Sequence, residues 1–282
     1  MSSIAVPARS RRNTLATTLG FVRRHLLTAY SILFFAYLLL PIAVVILFSF
    51  NHPIGKFNYT WQGFTWDNWR YWNGVPGIQS SIVLSLEIAL LASVVATALG
   101  TLIALALVRY GFRGRASTNI LIFLPLSTPE IVLGASLLTL FLNLSFVTFG
   151  FQTILIAHIM FCISFAVVTV KARLVGFDRH LEEAAMDLGA NEWTTFRKVT
   201  LPLTAPAILA ALLLCFAISI DDFVVTYFNS GSSVTFPLFV WGAARIGAPP
   251  QVNVIGTAIF AIALTAMLVN VLVQMRRAKR AS

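Results

Sequence analysis

Long apolar runs alternate with short polar connectors along this chain. Each run is close to the roughly 20 residues that a helix needs to cross the apolar part of a bilayer. We predict six membrane-spanning helices, at residues 26–50, 82–108, 119–144, 151–172, 205–228 and 252–275. The pattern therefore indicates an all-α integral membrane protein with six transmembrane helices.

Composition supports this assignment and excludes a soluble globular protein. Hydrophobic residues make up 58% of the 282 residues, and charged residues only 11%. The two cysteines, Cys162 and Cys215, both lie in predicted spans. Two cysteines in apolar segments do not indicate a disulfide framework or a metal knuckle. We interpret them as small packing residues.

The basic residues predict how the spans are oriented. Seventeen of the twenty Lys and Arg lie in the two tails, in alternate connectors or, for Lys171, at the end of the span that leads into one of them, and only Lys56, Arg70 and Arg245 lie in the other connectors. The positive-inside rule then places both termini in the cytoplasm. We expect cytoplasmic tails at residues 1–25 and 276–282, flanking a six-helix transmembrane domain at 26–275. The net charge of +10 follows from this topology and does not imply a nucleic-acid partner.

The first outer connector, residues 51–81, is rich in aromatic residues. It contains Trp61, Trp66, Trp69 and Trp72. Indole rings favour the headgroup region because one end is apolar and the other donates a hydrogen bond. An interfacial belt or re-entrant scaffold would explain them, and so would a docking surface for an external partner.

A cytoplasmic loop at about residues 174–204 contains a cluster of acidic residues. Half of the ten acidic residues lie between positions 178 and 192. Asp178 can cap a short helix, and Glu182 and Glu183 fall in its first turns, where the helix dipole favours acids. Gly189 can end the helix in a left-handed conformation. This first helix would present its carboxylates to the cytosol.

A second short helix is predicted directly afterwards. Asn191 can cap it, and Trp193 and Phe196 are spaced to share one face. Pro202 and Pro206 are expected to break the chain before the next span. The two helices would form an elbow across the membrane surface.

The spacing in this loop resembles the EAA motif of the membrane subunits of ABC importers, E-A-A-x3-G-x9-I-x-L-P. Val199 stands where the motif has Ile. The resemblance implies the type I ABC importer permease architecture, with the elbow acting as a coupling helix that docks in a groove of a cytoplasmic ATPase subunit. The implied ATPase-coupling residues are Glu183, Ala184, Ala185, Gly189 and Pro202.

The chain itself contains no phosphate-binding loop of the form G-x-x-x-x-G-K-[ST]. We therefore expect no enzymatic activity and no cofactor in this chain. ATP and Mg²⁺ are expected to bind to a separate ATPase subunit.

Four acidic residues interrupt the apolar spans. They are Glu87, Glu130, Asp221 and Asp222. Each would cost about 2.5–3.5 kcal/mol at the bilayer centre, so they should face a cavity, a partner or an interfacial end. We expect no Lys or Arg inside the spans to neutralise them. An acid-lined path of this kind favours a cationic substrate, and these four residues are the candidates for it.

Structural roles for the same residues stay open at this point. Asp221 and Asp222 can instead cap backbone or bond a neighbouring helix. Glu130 follows Pro129 and can open a helix segment, where an acid is favourable. His158, in the fourth span, is interpreted as an interhelical hydrogen-bond partner.

A narrower resemblance runs from about residue 80 to the C-terminus. The segments "GTLIALALVRYGFRG", "PEIVLGASLL", "AHIMFCISFAVVTVKARLVGFD" and "SIDDFVVTYFNSG" are similar to the second membrane subunit of spermidine/putrescine importers. Two positions depart from that family, with Ser164 in place of a common Pro and Glu87 in place of a usual Thr. The resemblance implies a polyamine substrate, an extracytoplasmic binding protein, a second permease subunit in a heterodimer, an ATPase dimer and the bacterial inner membrane.

Three other functions compete with this one. An ABC permease for another organic cation or a metal chelate would have the same features. An ion-coupled secondary transporter could use Asp221 and Asp222 but would not need the elbow. A membrane scaffold would explain the spans but not the acidic residues within them.

Overall fold

The computed structural model describes residues 12–55, 57–144 and 147–281, and the regular structure in these ranges is helical apart from one β-bridge between Asn51 and Phe64. The helices are α1 (Arg12–Ser49), α2 (Asp67–Arg70), α3 (Ile78–Arg109), α4 (Arg115–Ser127), α5 (Glu130–Asn143), α6 (Phe151–Val175), α7 (His180–Asp187), α8 (Glu192–Thr195), α9 (Leu201–Asp221), α10 (Val224–Asn229), α11 (Phe236–Ile246) and α12 (Pro250–Ala281). A π-helical turn at Phe196–Thr200 joins α8 to α9. Lys56, residues 1–11 of the predicted N-terminal tail and Ser282 of the C-terminal tail lie outside the described residues.

The described residues contain five or six apolar spans, against the six that the pattern predicts. Five helical stretches are long and apolar enough to cross a membrane, and α4 and α5 make a sixth when the bent pair is counted as one span. The prediction of a continuous third span is wrong, because α4 and α5 meet at an angle of 110°. Pro129 has no N–H to donate and disfavours a helical conformation at Thr128, which is extended (ψ 132°). The span therefore turns sharply there.

The predicted fifth span, 205–228, also differs from the structure. Helix α9 ends at Asp221, the backbone of Asp222 is extended (ψ 121°), and α10 begins at Val224. The connector predicted after it, 229–251, is not an irregular loop, because it contains the 11-residue helix α11. Both ends of the predicted core domain fall inside helices, since α1 begins at Arg12 and α12 continues to Ala281.

The chain divides into two compact units, and residues 73–246 form one of them. In this unit α3, α6 and α9 pack against one another through small buried residues, including Ala104, Ala166 and Ala211. A Cβ on Gly100 would lie 2.5 Å from the Cβ of Ala166, so only glycine permits this approach. Close packing through small residues is typical of helices in membranes.

The two cysteines belong to the same packing layer. Cys162 on α6 and Cys215 on α9 are fully buried, and each sulfur lies near the backbone carbonyl of the other residue, at 3.6 and 3.3 Å. Both thiols are free. Their predicted role as small packing residues is confirmed.

The other unit comprises residues up to Trp72 and from Gly247 onward. Its aromatic loop is a folded scaffold built on Asn51, whose buried amide donates to the carbonyl of Thr60 (2.8 Å) and accepts from the backbone N–H of Gln62 (2.7 Å). The Phe50 ring stacks on Trp69, with centroids 5.5 Å apart. The structure thus favours the scaffold interpretation, and a docking role for exposed rings such as Trp66 stays a prediction.

Candidate functional site

Residues 178–195 form the predicted elbow. The carboxylate of Asp178 accepts hydrogen bonds from the backbone N–H of His180 (3.1 Å) and from its ring Nδ1 (2.7 Å), at the start of α7. Gly189 follows α7 with a φ of +90°, a conformation that strains any other L-residue. The Asn191 side chain then accepts from the backbone N–H of Thr194 (2.8 Å) and caps α8. The left-handed turn predicted at Gly189 and the cap predicted at Asn191 are confirmed, whereas the N-cap residue of α7 is Arg179 and Asp178 lies one residue before it.

The Asp178–His180 pair is largely exposed to solvent, and the pKa values of both groups are nevertheless shifted. The hydrogen bond that the His180 ring donates to the Asp178 carboxylate raises the pKa of His180 above its ordinary value of 6.5. The same bond lowers the pKa of Asp178 below its ordinary value of 3.8. Between those two pH values the pair therefore combines a cationic ring with a carboxylate.

The outer surface of the elbow combines exposed acids, Glu183 among them, with several apolar side chains. Glu183 and Ala184 are exposed and Ala185 is half-buried. Leu188 is 90% exposed and Trp193 is 68% exposed. Trp193 stacks on Phe196 with ring centroids 5.7 Å apart, as their spacing predicts. Exposed apolar residues grouped at a chain reversal are typical of a protein interaction site.

The prediction that Glu182 presents its carboxylate to the cytosol is wrong. Its side chain is only 8% exposed and pairs with the guanidinium of Arg109, at the end of α3. The hydroxyl of Thr200 donates to the same carboxylate. Sequence reasoning missed Arg109 and Thr200 because neither is near Glu182 in the chain; a lone Arg ending an apolar helix was the available signal.

The two prolines after the elbow do not break the chain. Pro202 occupies the first turn of α9, where its missing N–H costs little, and Pro206 lies inside the helix. The chain continues without interruption from the π-helical turn at Phe196–Thr200 into α9. A single apolar stretch therefore joins the elbow to the end of α9 at Asp221.

Three of the four candidate acids line one cavity of about 630 Å³. The two helix breaks place them there: Glu130 is the first residue of α5, and Asp221 and Asp222 lie where α9 ends. Glu130 thus opens a helix segment, as Pro129 indicates. The aromatic rings of Phe161, Phe165 and Phe223 line the same cavity, and no Lys or Arg is among its described lining residues.

The adjacent residues Asp221 and Asp222 have different environments. Asp222 has a side chain that is 7% exposed, and one of its oxygens accepts from both the backbone N–H and the hydroxyl of Thr226, each at 2.8 Å. It caps the first turn of α10. Asp221 is exposed to the cavity. Of the two, only Asp221 presents a carboxylate free of such bonds in the described residues.

His158 completes the network around Asp222. Its Nε2 lies 2.9 Å from the Thr226 hydroxyl and 3.4 Å from the Asp222 carboxylate, and its Nδ1 lies 2.7 Å from the Ser219 hydroxyl. The ring is buried and joins α6 to α9 and α10. The interpretation of His158 as an interhelical hydrogen-bond partner is confirmed.

Glu87 is not brought together with the other three acids. It lies on an exposed face of α3 and lines a different cavity, of about 520 Å³, with polar neighbours such as Gln79 and Ser80. The expectation that no base lies inside a span is wrong for Lys171 of α6. Its ammonium group donates to Asn119 (2.6 Å), and it is not among the residues that line the cavity of Glu130 and Asp221.

This chain is a helical membrane protein with a surface elbow and with an acid-lined cavity at the breaks in its spans. These features are those of a transport permease. A family model for the inner-membrane component of binding-protein-dependent transport systems matches residues 96–276. The chain belongs to this family of ABC-type permeases and is a multi-pass inner-membrane protein.

Two curated relatives cover most of the chain. It is 39% identical over 254 residues to the spermidine/putrescine transport system permease protein PotC of Haemophilus influenzae, covering 89% of this chain and 97% of PotC. It is 37% identical over 236 residues to the putrescine transport system permease protein PotI of Escherichia coli, covering 80% of this chain and 82% of PotI.

Solved structures agree on the fold. A chain of a bacterial ABC transporter involved in the import of the acidic polysaccharide alginate aligns with a TM-score of 0.62 at 19% identity, covering 95% of this chain and 99% of that one. The helical arrangement is therefore that of ABC transporter membrane chains.

Proposed function

We propose that this chain is a membrane permease subunit of an ATP-driven importer that translocates polyamines of the spermidine/putrescine class. The observation that carries the proposal is the cavity that holds Glu130 and Asp221 and has no Lys or Arg among its described lining residues. Ammonium groups need oxygen acceptors once their water is removed, and a low-dielectric setting strengthens the attraction. The relatives named for spermidine and putrescine transport support the same substrate class.

The aromatic lining of the cavity also suits this substrate. A polyamine alternates ammonium groups with apolar methylene segments. Phe161, Phe165 and Phe223 line the cavity and supply apolar surface for the methylenes, and aromatic rings also attract cations that approach their faces. Because attraction must stay modest for release, a few free carboxylates beside aromatic rings suit a translocation path better than a ring of tightly bonded acids.

The elbow is proposed to couple transport to ATP hydrolysis. In this proposal Glu183, Ala184, Ala185 and Gly189, with Pro202 at the base of α9, form the surface that docks on a cytoplasmic ATPase dimer, which binds ATP and Mg²⁺. The exposed Glu183 and the neighbouring apolar residues support docking in a groove of complementary charge. The remaining proposed partners are a second permease subunit and an extracytoplasmic binding protein.

The membrane orientation follows from the charge asymmetry. Seventeen basic residues against three favour cytoplasmic termini, with tails at 1–25 and 276–282 and the elbow on the same side. In this orientation the elbow meets the ATPase, and the aromatic loop around Asn51 faces the binding protein.

Isosteric neutral variants test the substrate path. We expect Asp221→Asn and Glu130→Gln each to lower uptake of labelled polyamine by the reconstituted complex about 5- to 30-fold, since 1–2 kcal/mol corresponds to that factor. The loss should be greater for spermidine than for putrescine, because spermidine carries one more positive charge. Glu87→Gln is the matched control, since Glu87 lies outside this cavity, and uptake should be unchanged.

Two results would contradict the proposal. Normal uptake of both polyamines by the assembled Asp221→Asn and Glu130→Gln complexes would reject the acid-lined path. Uptake by this chain alone without ATP would identify an ion-coupled secondary transporter instead.

A further inference from the structure

The end of α3 is fastened to the elbow by a partly buried ion pair. Both terminal nitrogens of Arg109 contact the two carboxylate oxygens of Glu182, which is 73 residues away along the chain. The side chains are only 20% and 8% exposed. Two parallel charge-assisted bonds fix the relative orientation of the two groups, which a single contact does not.

Further contacts surround this pair. The Thr200 hydroxyl, in the π-helical turn before α9, donates to the Glu182 carboxylate. The Arg109 guanidinium lies 5.5 Å from the ring centroid of Phe177, and Arg179 donates to the carbonyl of Val108 at 2.8 Å. The segment that enters α7 therefore contacts the last turn of α3 at several points.

Chain connectivity does not explain this arrangement. The elbow is joined covalently to α6 on one side and to α9 on the other, whereas α3 is not continuous with it. Yet α3 packs closely with both α6 and α9 in the core of the unit. If the elbow moved without α3, these three helices would have to slide past one another.

We propose that Arg109, Glu182 and Thr200 form a clamp that transmits displacement of the elbow to α3, so that α3, α6 and α9 move as one body. The three are positioning residues, and their role rests on the proposed docking of the elbow on the ATPase. A buried ion pair is not needed for stability as such, because apolar replacements of similar volume are often equally stable. Its directional bonds instead hold the elbow and α3 in one register.

Two variants at adjacent positions distinguish the role of the clamp from docking on the ATPase: the isosteric Glu182→Gln and the charge-reversing Glu183→Lys. In proteoliposomes containing the full complex, three quantities are measured: ATPase subunit bound, ATP hydrolysed, and labelled spermidine transported per ATP. For Glu182→Gln we expect normal assembly and hydrolysis, with transport per ATP reduced about fivefold or more, the lower end of typical coupling effects. For the neighbouring Glu183→Lys we expect weaker assembly and hydrolysis.

Each outcome decides one hypothesis. If Glu183→Lys weakens assembly but Glu182→Gln keeps the unmodified transport per ATP, the clamp is rejected and docking stands. If Glu183→Lys changes neither assembly nor hydrolysis, the docking proposal fails.

Should Glu182→Gln fail to assemble, the apolar pair Arg109→Met with Glu182→Leu replaces it. Assembly with reduced transport per ATP supports the clamp. Assembly with normal transport per ATP overturns it, and so does failure to assemble, because the pair would then serve only to hold the fold.

Discussion

Two pairs of adjacent acidic residues, Glu182–Glu183 in the elbow and Asp221–Asp222 at the cavity, follow the same plan. In each pair one carboxylate is nearly buried and held by protein donors, and its neighbour is exposed. The bonded member fixes the backbone. The exposed member is left for a partner outside the chain, which we propose to be the ATPase for Glu183 and the substrate for Asp221.

The bonded members differ in what holds them. Glu182 pairs with the permanent cation Arg109, whereas Asp222 is held by the backbone and hydroxyl of Thr226 and by the neighbouring His158 ring. Removing one member of a buried ion pair leaves an uncompensated charge, and removing a capping carboxylate leaves a neutral donor without an acceptor. The elbow should therefore be the more sensitive of the two regions.

The largest effect is expected for Arg109→Ala. This change leaves the Glu182 carboxylate buried without its cation and should lower the free energy of unfolding by about 3–5 kcal/mol. Thermal unfolding of the purified chain in detergent measures it. Arg113→Ala is the matched control, because Arg113 is exposed just beyond α3. Equal stability of the two variants would mean that the ion pair does not hold α3 to the elbow.

A smaller effect on stability distinguishes Asp222 from Asp221. Asp222→Ala removes the cap of α10 and should destabilise the protein by about 1–2 kcal/mol. Asp221→Ala should change stability by less than about 0.5 kcal/mol, since its carboxylate is exposed, while still reducing polyamine uptake. The same unfolding assay, combined with uptake, tests both. If Asp221→Ala is the more destabilising change, the assignment of bonded and free members is reversed.

The smallest effect is expected for Asp178 and His180, which form an ion pair that is exposed to solvent. Because the pKa of His180 is raised, its contribution is complete below about pH 6.5 and is lost as pH rises through the raised value. Because the pKa of Asp178 is lowered, its contribution is present above about pH 3.8 and is lost as pH falls through the lowered value. The start of α7 should be most stable between these limits.

Histidine NMR on the labelled protein checks this prediction. Asp178→Asn should move the pKa of His180 back towards 6.5, and Glu183→Gln should move it less, because the Glu183 contribution is smaller. An unchanged pKa in Asp178→Asn would show that the pair does not form in solution.

Local signals in the sequence predicted much of the elbow. The cap at Asn191, the left-handed Gly189 and the hydrogen bond from the backbone N–H of His180 to Asp178 depend on backbone groups only a few residues away. They can therefore be inferred without knowing the rest of the fold. Pro202 and Pro206 were expected to break the chain, but both lie within helix α9. Proline in the first turn of a helix costs little, and within a membrane neighbouring groups tolerate it further along.

The sequence by itself determined the approximate positions of the apolar stretches, the excess of basic residues in alternate connectors and the short helices of the elbow, because each depends on hydrophobicity, charge or neighbours within one or two turns. Only the tertiary structure decided which member of each acidic pair is free. That choice depends on Arg109 and Thr200 in one case and on His158 and Thr226 in the other. Donors on other helices meet the acids only after the helices pack. The separation of Glu87 from Glu130 and Asp221 has the same cause, since the direction of a bent span is set by packing and not by its hydrophobic pattern.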